Sequence, residues 1–145
     1  MPLARRHLLA LAPLACVAAC AAPPDKPRFA GRLSAAAELP PNTTAGTGAI
    51  RVAYDPATRV MSYELSFANL SGPAIAAHFH APAGAGETAG IRLALAGVAT
   101  SPGPLTGQVG LTPEEAADLL AGRWYVNIHT PNHPDGEIRA QLLPE

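Results

Sequence analysis

Cysteine is scarce in this chain and confined to its first 20 residues, as Cys16 and Cys20. Residues 21–145 therefore contain no thiol, which excludes disulfides and thiolate metal ligands from that part of the chain. Aromatic residues make up only 5% of the sequence and charged residues 14%, whereas 48% of residues are hydrophobic, many of them alanine. We expect a core of small and branched side chains with a few large anchors, namely Phe29, Tyr54, Phe67, Phe79 and Trp124.

Several signals of nucleic-acid binding and of catalysis are missing. The chain has ten lysines and arginines and eleven acidic residues, and the basic residues form no cluster. We therefore expect no nucleic-acid partner. No serine occupies a nucleophile elbow, and no glycine-rich loop follows a strand and opens a helix as phosphate-binding motifs do. The 145 residues favour a single small domain. These absences favour a non-enzymatic binding or structural module whose partner is an unknown protein or small ligand.

The first 19 residues have the pattern of an export signal. Arg5 and Arg6 precede an apolar run at residues 8–14 that is too short to span a bilayer. Residues 17–20, with the sequence VAAC, match a bacterial lipobox, in which Cys20 becomes the acylated first residue. The alternative is an ordinary cleavage site beside an incidental cysteine. The two arginines also loosely resemble a twin-arginine export motif, an alternative to a plain basic segment.

Lipidation at Cys20 predicts an exported protein of the cell envelope or periplasm that a lipid anchors to a membrane. Diacylation inserts enough acyl chain for stable anchoring. Residues 20–28 contain three prolines and no apolar periodicity, so we expect a tether there. Removal of Arg5 and Arg6 leaves eight basic against eleven acidic residues, a net charge of −3.

From residue 29 onward, short alternating runs separated by turn residues are typical of an antiparallel sandwich or barrel. Thr112-Pro113-Glu114-Glu115 has the form of a helix capping box, and Gly122 is a suitable helix terminator. The pattern predicts an all-β antiparallel sandwich with one short helix before the last two strands. The predicted strands cover residues 29–39, 46–54, 59–70, 74–80, 90–97, 105–111, 124–130 and 137–142.

Histidines are grouped near the ends of two predicted strands. Alternate residues of a strand face opposite sides of the sheet. If Ile75 and Phe79 point into the core, His78 and His80 share the opposite face. The same alternation along residues 124–129 places His129 on the non-core face with the side chains of residues 125 and 127. If the two strands are neighbours in one sheet, the three imidazoles converge.

Such a cluster would suit zinc or copper, because imidazole is a good ligand for both ions. On the last predicted strand, Glu137 lies on the histidine face and is a candidate fourth ligand, or an acceptor that orients His78, His80 or His129. The alternative is a set of polar residues on a solvated sheet edge. His133 is predicted to be a turn residue. The His-x-His pattern is similar to part of the copper–zinc superoxide dismutase site, but that family's metal loop is missing, so we expect no dismutase activity.

Four blocks follow one another along the chain: residues 33–41 (LSAAAELPP), the GTG and YDP segments within residues 46–63, residues 77–83 (AHFHAPA), and residues 111–142, which end in YVNIHT and PDGEIRAQL. These blocks resemble the CHRD domain, a family first described in chordin, whose patterns include LSGAQEVPP and AHIHGPA. Ala35, Ala37, Ala81 and Ala140 depart from the family pattern, which affects only local turns.

The resemblance covers residues 29–143 and implies a β-sandwich of immunoglobulin-like or Greek-key character. It implies little about activity, because one fold supports many functions. The growth-factor binding of chordin is not expected to transfer to this chain.

Overall fold

The computed structural model describes residues 26–98 and 104–145. The predicted export signal at residues 1–19 and the predicted lipidation site Cys20 lie outside this part of the chain. Most of the described residues form nine strands, one α-helix and a short 3-10 turn at Ala35–Ala37. The elements are β1 (Arg28–Ser34), β2 (Thr47–Asp55), β3 (Val60–Ala68), β4 (Ala76–His80), β5 (Ile91–Ala94), β6 (Leu105–Gly110), α1 (Pro113–Leu120), β7 (Tyr125–Thr130), β8 (His133–Gln141) and β9 (Leu143–Pro144).

The strands pair antiparallel in the order β5-β4-β7-β8-β1-β2-β3-β6, and β9 adds to β1. This order forms one continuous curled sheet rather than two separately hydrogen-bonded sheets. Helix α1 comes directly before β7 and β8, as the sequence pattern predicts. The prediction of an all-β antiparallel fold with one short helix is therefore confirmed for the described residues.

One hydrophobic core lies inside the curled sheet. Of the five predicted aromatic anchors, four are almost fully buried, and Phe67 is partly buried against the core. Burial of this apolar area is the main favourable contribution to folding. The largest fully buried hydrophobic side chains are Phe29, Ile50, Met61, Leu65, Phe79, Leu119, Trp124, Val126, Ile128, Ile138 and Leu142.

Helix α1 begins and ends as its capping residues predict. The Glu115 amide donates to Thr112 Oγ1 at 3.3 Å, and the Thr112 amide donates to Glu115 Oε2 at 2.9 Å. Gly122 follows the helix with a φ of 68°, a conformation that favours glycine. Trp124 Nε1 then donates to the Glu115 carbonyl at 3.2 Å, which joins the start of the helix to the beginning of β7. Within residues 26–98 and 104–145, no helix is long and apolar enough to cross a membrane.

Several predicted strand boundaries differ from the observed ones, and two of them are wrong by four residues or more. The first strand ends at Ser34 instead of residue 39, because the three alanines at 35–37 form a 3-10 turn that the Glu38 amide closes on the Ala35 carbonyl at 3.2 Å. The predicted turn at residues 131–136 is shorter than expected: β8 begins at His133, which pairs with Thr130.

Ile75, predicted to face the core, is exposed instead, and Ile91 is a second exposed apolar residue. Ile75 is 51% exposed because it lies just before β4, so the alternation of that strand does not determine the direction of its side chain. Ile91 is 60% exposed and lies on the edge strand β5, where the pairing with β4 shifts register between Phe79 and His80. The inward and outward positions of side chains on β5 therefore do not continue those of β4.

The last residues of the predicted tether contact the domain. The Pro27 carbonyl accepts a hydrogen bond from the Tyr54 amide at 2.9 Å, and Lys26 Nζ lies 2.9 Å from Asp55 Oδ2. Arg28 is already part of β1.

Candidate metal centre

The two histidine-bearing strands are neighbours in the sheet. In the β4–β7 pair, Ala77 lies opposite Ile128 and His78 lies opposite Asn127. Phe79 and Ile128 are both 0% exposed, so the core face of each strand is the predicted one. The opposite face of the same two strands carries His78, His80 and His129.

The structure brings these three histidines into one cluster. One ring nitrogen from each of His78, His80 and His129 lies within 4.8 Å of the others. The shortest approach is 3.0 Å, between His78 Nδ1 and His129 Nε2. His80 is 7% exposed, whereas His78 and His129 are half-buried. The cluster is therefore set into the surface of the protein.

Backbone carbonyls determine which nitrogen of two rings carries the proton. His80 Nδ1 donates to the Ala89 carbonyl at 3.0 Å, and His129 Nδ1 donates to the Pro134 carbonyl at 2.9 Å. A carbonyl can only accept, so each Nδ1 holds a hydrogen and the Nε2 of each neutral ring holds a lone pair. Metal-binding histidines have this same outer contact, which fixes the tautomer and the ring orientation.

The Asn127 side chain lies between the two lone pairs. Its Oδ1 is 3.0 Å from His80 Nε2 and 3.0 Å from His129 Nε2. Both are direct contacts, and Asn127 is 4% exposed. Two nitrogen lone pairs and an amide oxygen repel one another unless a cation lies among them or the amide turns to donate its NH₂ group, and His78 Nδ1 is the other possible donor to His129 Nε2. The centre thus offers a cation three nitrogens and one oxygen.

Burial favours the neutral form of two of the imidazoles by lowering their pKa. It lowers the pKa of His78 from its ordinary value of 6.5, and the neighbouring His129 and His80 lower it further. Burial also lowers the pKa of His129, and the Pro134 carbonyl and the Asp135 charge oppose this only in part. The neutral imidazole is the form that binds a metal ion.

A stack of three side chains supports His80 from behind. The Tyr125 ring is parallel to the His80 ring, with centroids 4.6 Å apart, and the Arg139 guanidinium lies 3.5 Å from the Tyr125 centroid. Tyr125 also donates through its hydroxyl to the Ala89 carbonyl at 3.3 Å, and Arg139 donates to the Glu87 carbonyl at 2.6 Å. The loop at residues 82–90 therefore covers this part of the non-core face and carries the carbonyl that orients His80.

A family model for the CHRD domain matches residues 29–142 of the chain. The chain belongs to the CHRD-domain family. Comparison with curated proteins and with solved structures gave no match. The histidine cluster lies entirely within the matched CHRD domain, on the strands that carry the third and fourth sequence blocks.

The structure does not bring Glu137 to the histidines of the CHRD domain. Its carboxylate accepts from the Ser71 amide at 2.7 Å, the Ser71 hydroxyl at 2.8 Å and the Thr130 hydroxyl at 2.6 Å. The reason is the register shift between Ile128 and Thr130, which interrupts the β7–β8 pairing at His129. The orienting role predicted for this carboxylate belongs instead to the backbone carbonyls already described.

Sequence reasoning missed several contributors to the centre. It placed Asn127 and Tyr125 on the histidine face but gave neither a role, although both were visible from the alternation. The carbonyls of Ala89 and Pro134 carry no side-chain signal, because every residue has a carbonyl. Only the fold of the two loops brings them to the imidazoles.

Proposed function

We propose that this CHRD domain is a non-enzymatic binding module whose ligand is a zinc or copper ion held by His78, His80 and His129. The observation that carries the proposal is that His80 Nδ1 and His129 Nδ1 both donate to backbone carbonyls. The Nε2 atoms of the two rings are therefore unprotonated and face a common point beside the third ring. Without a bound cation, the His129 lone pair can be satisfied by a hydrogen on His78 Nδ1, and the His80 lone pair needs the Asn127 amide turned to donate.

The distances agree with the coordination chemistry of these ions. Zinc–nitrogen bonds of about 2.0–2.1 Å at tetrahedral angles place two ligand nitrogens roughly 3.3 Å apart. The nitrogens of His78 and His129 are 3.0 Å apart, and the whole set lies within 4.8 Å. The most widely separated pair, within 4.8 Å, would have to approach by ring rotation when the ion binds. Asn127 Oδ1 or a water molecule would complete four-coordination.

Metal binding can be measured directly on the purified chain. After dialysis against zinc or copper, we expect one equivalent of metal per chain and a higher melting temperature. A ligand that binds only the native state stabilises it by about 2.7 kcal/mol at one hundred times its Kd. We expect the double variant His78→Ala/His80→Ala to lose both the stoichiometry and the thermal shift.

The matched control is His133→Ala, since His133 is a fourth histidine of the same domain that does not belong to the cluster. This variant should keep full stoichiometry. The proposal fails if the double variant binds as much metal as the unmodified protein, or if His133→Ala abolishes binding.

We further propose that the domain is held at the cell envelope by a lipid on Cys20. The support is the lipobox VAAC after a basic and apolar signal at residues 1–19. In the native host, labelled palmitate should be incorporated into the chain, and Cys20→Ala should release the protein from the membrane fraction. The matched control is Cys16→Ala, which should remain lipidated. Labelling that survives in Cys20→Ala contradicts the assignment.

A further inference from the structure

The side chains on the non-core face of strands β4, β7 and β8 form two parallel rows. Residues that lie opposite each other in the strand pairs form the rows, which are His80, Tyr125 and Gln141, and then His78, Asn127 and Arg139. Side chains on one face of a sheet contact their direct and diagonal neighbours on the next strand. The histidines and Asn127 surround the candidate metal centre. The other three side chains continue the same surface beyond it, across β7 and β8.

One end of the loop at residues 82–90 contacts the first row. The Ala89 carbonyl accepts from His80 Nδ1 at 3.0 Å and from the Tyr125 hydroxyl at 3.3 Å. The Ala89 amide also lies 3.3 Å from the hydroxyl oxygen of Tyr125. A carbonyl oxygen has two lone pairs, so it can accept both hydrogen bonds at once. A single loop residue is therefore held by a candidate metal ligand and by the ring beside that ligand.

The rest of the loop is held by the other two side chains. Arg139 donates to the Glu87 carbonyl at 2.6 Å, and Gln141 Nε2 donates to the Ala83 carbonyl at 2.8 Å. Among the residues that the structure describes, one backbone hydrogen bond joins the loop to another segment, from the Ala83 amide to the Arg123 carbonyl. The loop belongs to no strand. Its position on the sheet therefore depends mainly on side chains of the two rows.

Tyr125 packs against both the His80 imidazole and the Arg139 guanidinium. Its ring is within 1° of parallel to the imidazole, with centroids 4.6 Å apart, and the guanidinium carbon lies 3.5 Å from its centroid. All three side chains are buried. A cation is attracted to an aromatic face, and more strongly where water is excluded. The imidazole cannot turn about its own axis without losing both this stack and the hydrogen bond to Ala89.

We propose that Tyr125 and Arg139 are positioning residues for His80 and that they couple metal binding to the order of the loop at residues 82–90. The proposal rests on the metal binding proposed for the histidine cluster. An ion on Nε2 withdraws electrons from the imidazole and makes its Nδ1–H a stronger donor to the Ala89 carbonyl. Coupling between two equilibria is reciprocal, so the factor that the ordered loop adds to metal affinity is also the factor by which the metal stabilises the ordered loop.

The coupling can be measured by amide hydrogen exchange of the purified chain with and without saturating zinc. The reporters are the hydrogen-bonded loop amides of Gly84, Glu87 and Ala89. We expect zinc to slow their exchange by about ten- to hundredfold, the factor that outer contacts of a ligating histidine contribute to metal affinity. The control amides are those of Ala57 and Thr58, which donate to Asp55 Oδ1 in an exposed turn and should exchange at the same rate in both samples.

Variants of the stack test the positioning role. Tyr125→Leu removes the ring and should weaken zinc binding by about ten- to hundredfold. Tyr125→Phe keeps the ring and loses only the hydroxyl, so it should restore most of the affinity. Arg139→Ala should also weaken zinc binding, whereas Arg51→Ala, which removes an exposed arginine of β2, should not.

The tautomer of His80 gives a readout that a purely structural role of Tyr125 would not change. In nitrogen NMR spectra recorded without metal, we expect the Nδ1–H tautomer alone in the unmodified protein and a mixture of tautomers in Tyr125→Leu. If that variant still has the Nδ1–H tautomer alone, the positioning role is overturned.

The exchange and binding results separate this proposal from the metal-binding function. If the unmodified protein binds no zinc, both are overturned. If it binds zinc but the loop amides exchange as fast as before, or if Tyr125→Leu binds zinc as tightly as the unmodified protein, only the coupling is overturned. If Tyr125→Leu does not fold, the exchange comparison decides, because it needs no variant.

Discussion

Replacement of Phe79 by alanine is expected to destabilise the domain by about 3–5 kcal/mol, the usual cost of removing a fully buried aromatic side chain. Phe79 is 0% exposed and contacts two other rings, with centroid distances of 5.3 Å to Tyr63 and 6.0 Å to Trp124. Aromatic pairs at such distances add to the energy of burial. Guanidinium chloride unfolding followed by tryptophan fluorescence measures the loss.

The same residue sets the direction of the metal ligands. Phe79 lies between His78 and His80 on β4, and its burial is what turns both imidazoles to the opposite face. Phe79→Leu should recover part of the stability and all of the metal stoichiometry. The control is Ile75→Ala on the exposed residue just before the strand, which should change the free energy of unfolding by less than about 0.5 kcal/mol. A loss below 1.5 kcal/mol for Phe79→Ala would show that this side chain does not anchor the strand.

Glu137→Gln is expected to cost about 3 kcal/mol, because the isosteric amide cannot accept all three hydrogen bonds of the carboxylate. The Ser71 amide, the Ser71 hydroxyl and the Thr130 hydroxyl all donate to Glu137, which is 0% exposed. An NH₂ group in place of Oε2 could contact the two hydroxyls only by reversing those hydrogen bonds, which replaces charge-assisted bonds by weaker neutral ones. Urea unfolding at neutral pH measures the difference.

The effect of Glu137 should also depend on pH. Burial alone would raise the pKa of this carboxyl group, but the hydrogen bonds from Thr130 and Ser71 outweigh burial and hold the pKa below its ordinary value of 4.5. A carboxyl group whose pKa is lower in the folded chain stabilises the fold above pH 4.5, and this contribution is lost as the pH falls through the folded-state value. The stability difference between the unmodified protein and Glu137→Gln should therefore shrink in acid.

Glu64→Gln is the matched control, since Glu64 is an exposed glutamate on the sheet. Its free energy of unfolding should lie within about 0.5 kcal/mol of that of the unmodified protein. A difference for Glu137→Gln that stays constant down to strongly acidic pH would contradict the pKa argument, and equal stability at neutral pH would contradict the role of the hydrogen bonds.

Strand alternation predicted the histidine cluster well because β4 and β7 are inner strands with one apolar face packed into the core. In such strands a slip of one residue would move Phe79 and Ile128 out of the core, so the pattern of apolar residues specifies the register. Edge positions lack this constraint. Ile75 lies just before β4, and Ile91 lies on the edge strand β5. Both are exposed, and at these positions the exposure of an apolar side chain does not shift any residue of the core.

The position of Glu137 could not be predicted from the sequence. Strict alternation places it on the face of His129, but the register shift between Ile128 and Thr130 interrupts the ladder at that point. A bulge of this kind depends on the competing hydrogen bonds of the Ser71 turn, which is 66 residues away in sequence. Local patterns contain no information about such a distant partner.

By itself, the sequence determined the antiparallel class, the capped helix, the core anchors and the shared face of His78, His80 and His129. These features depend on local periodicity and on the burial of apolar side chains, both of which can be read along the chain. The tertiary structure alone decided which carbonyls orient the imidazoles and where Glu137 lies. Those features depend on contacts between distant segments, and their geometry exists only once the curled sheet has formed.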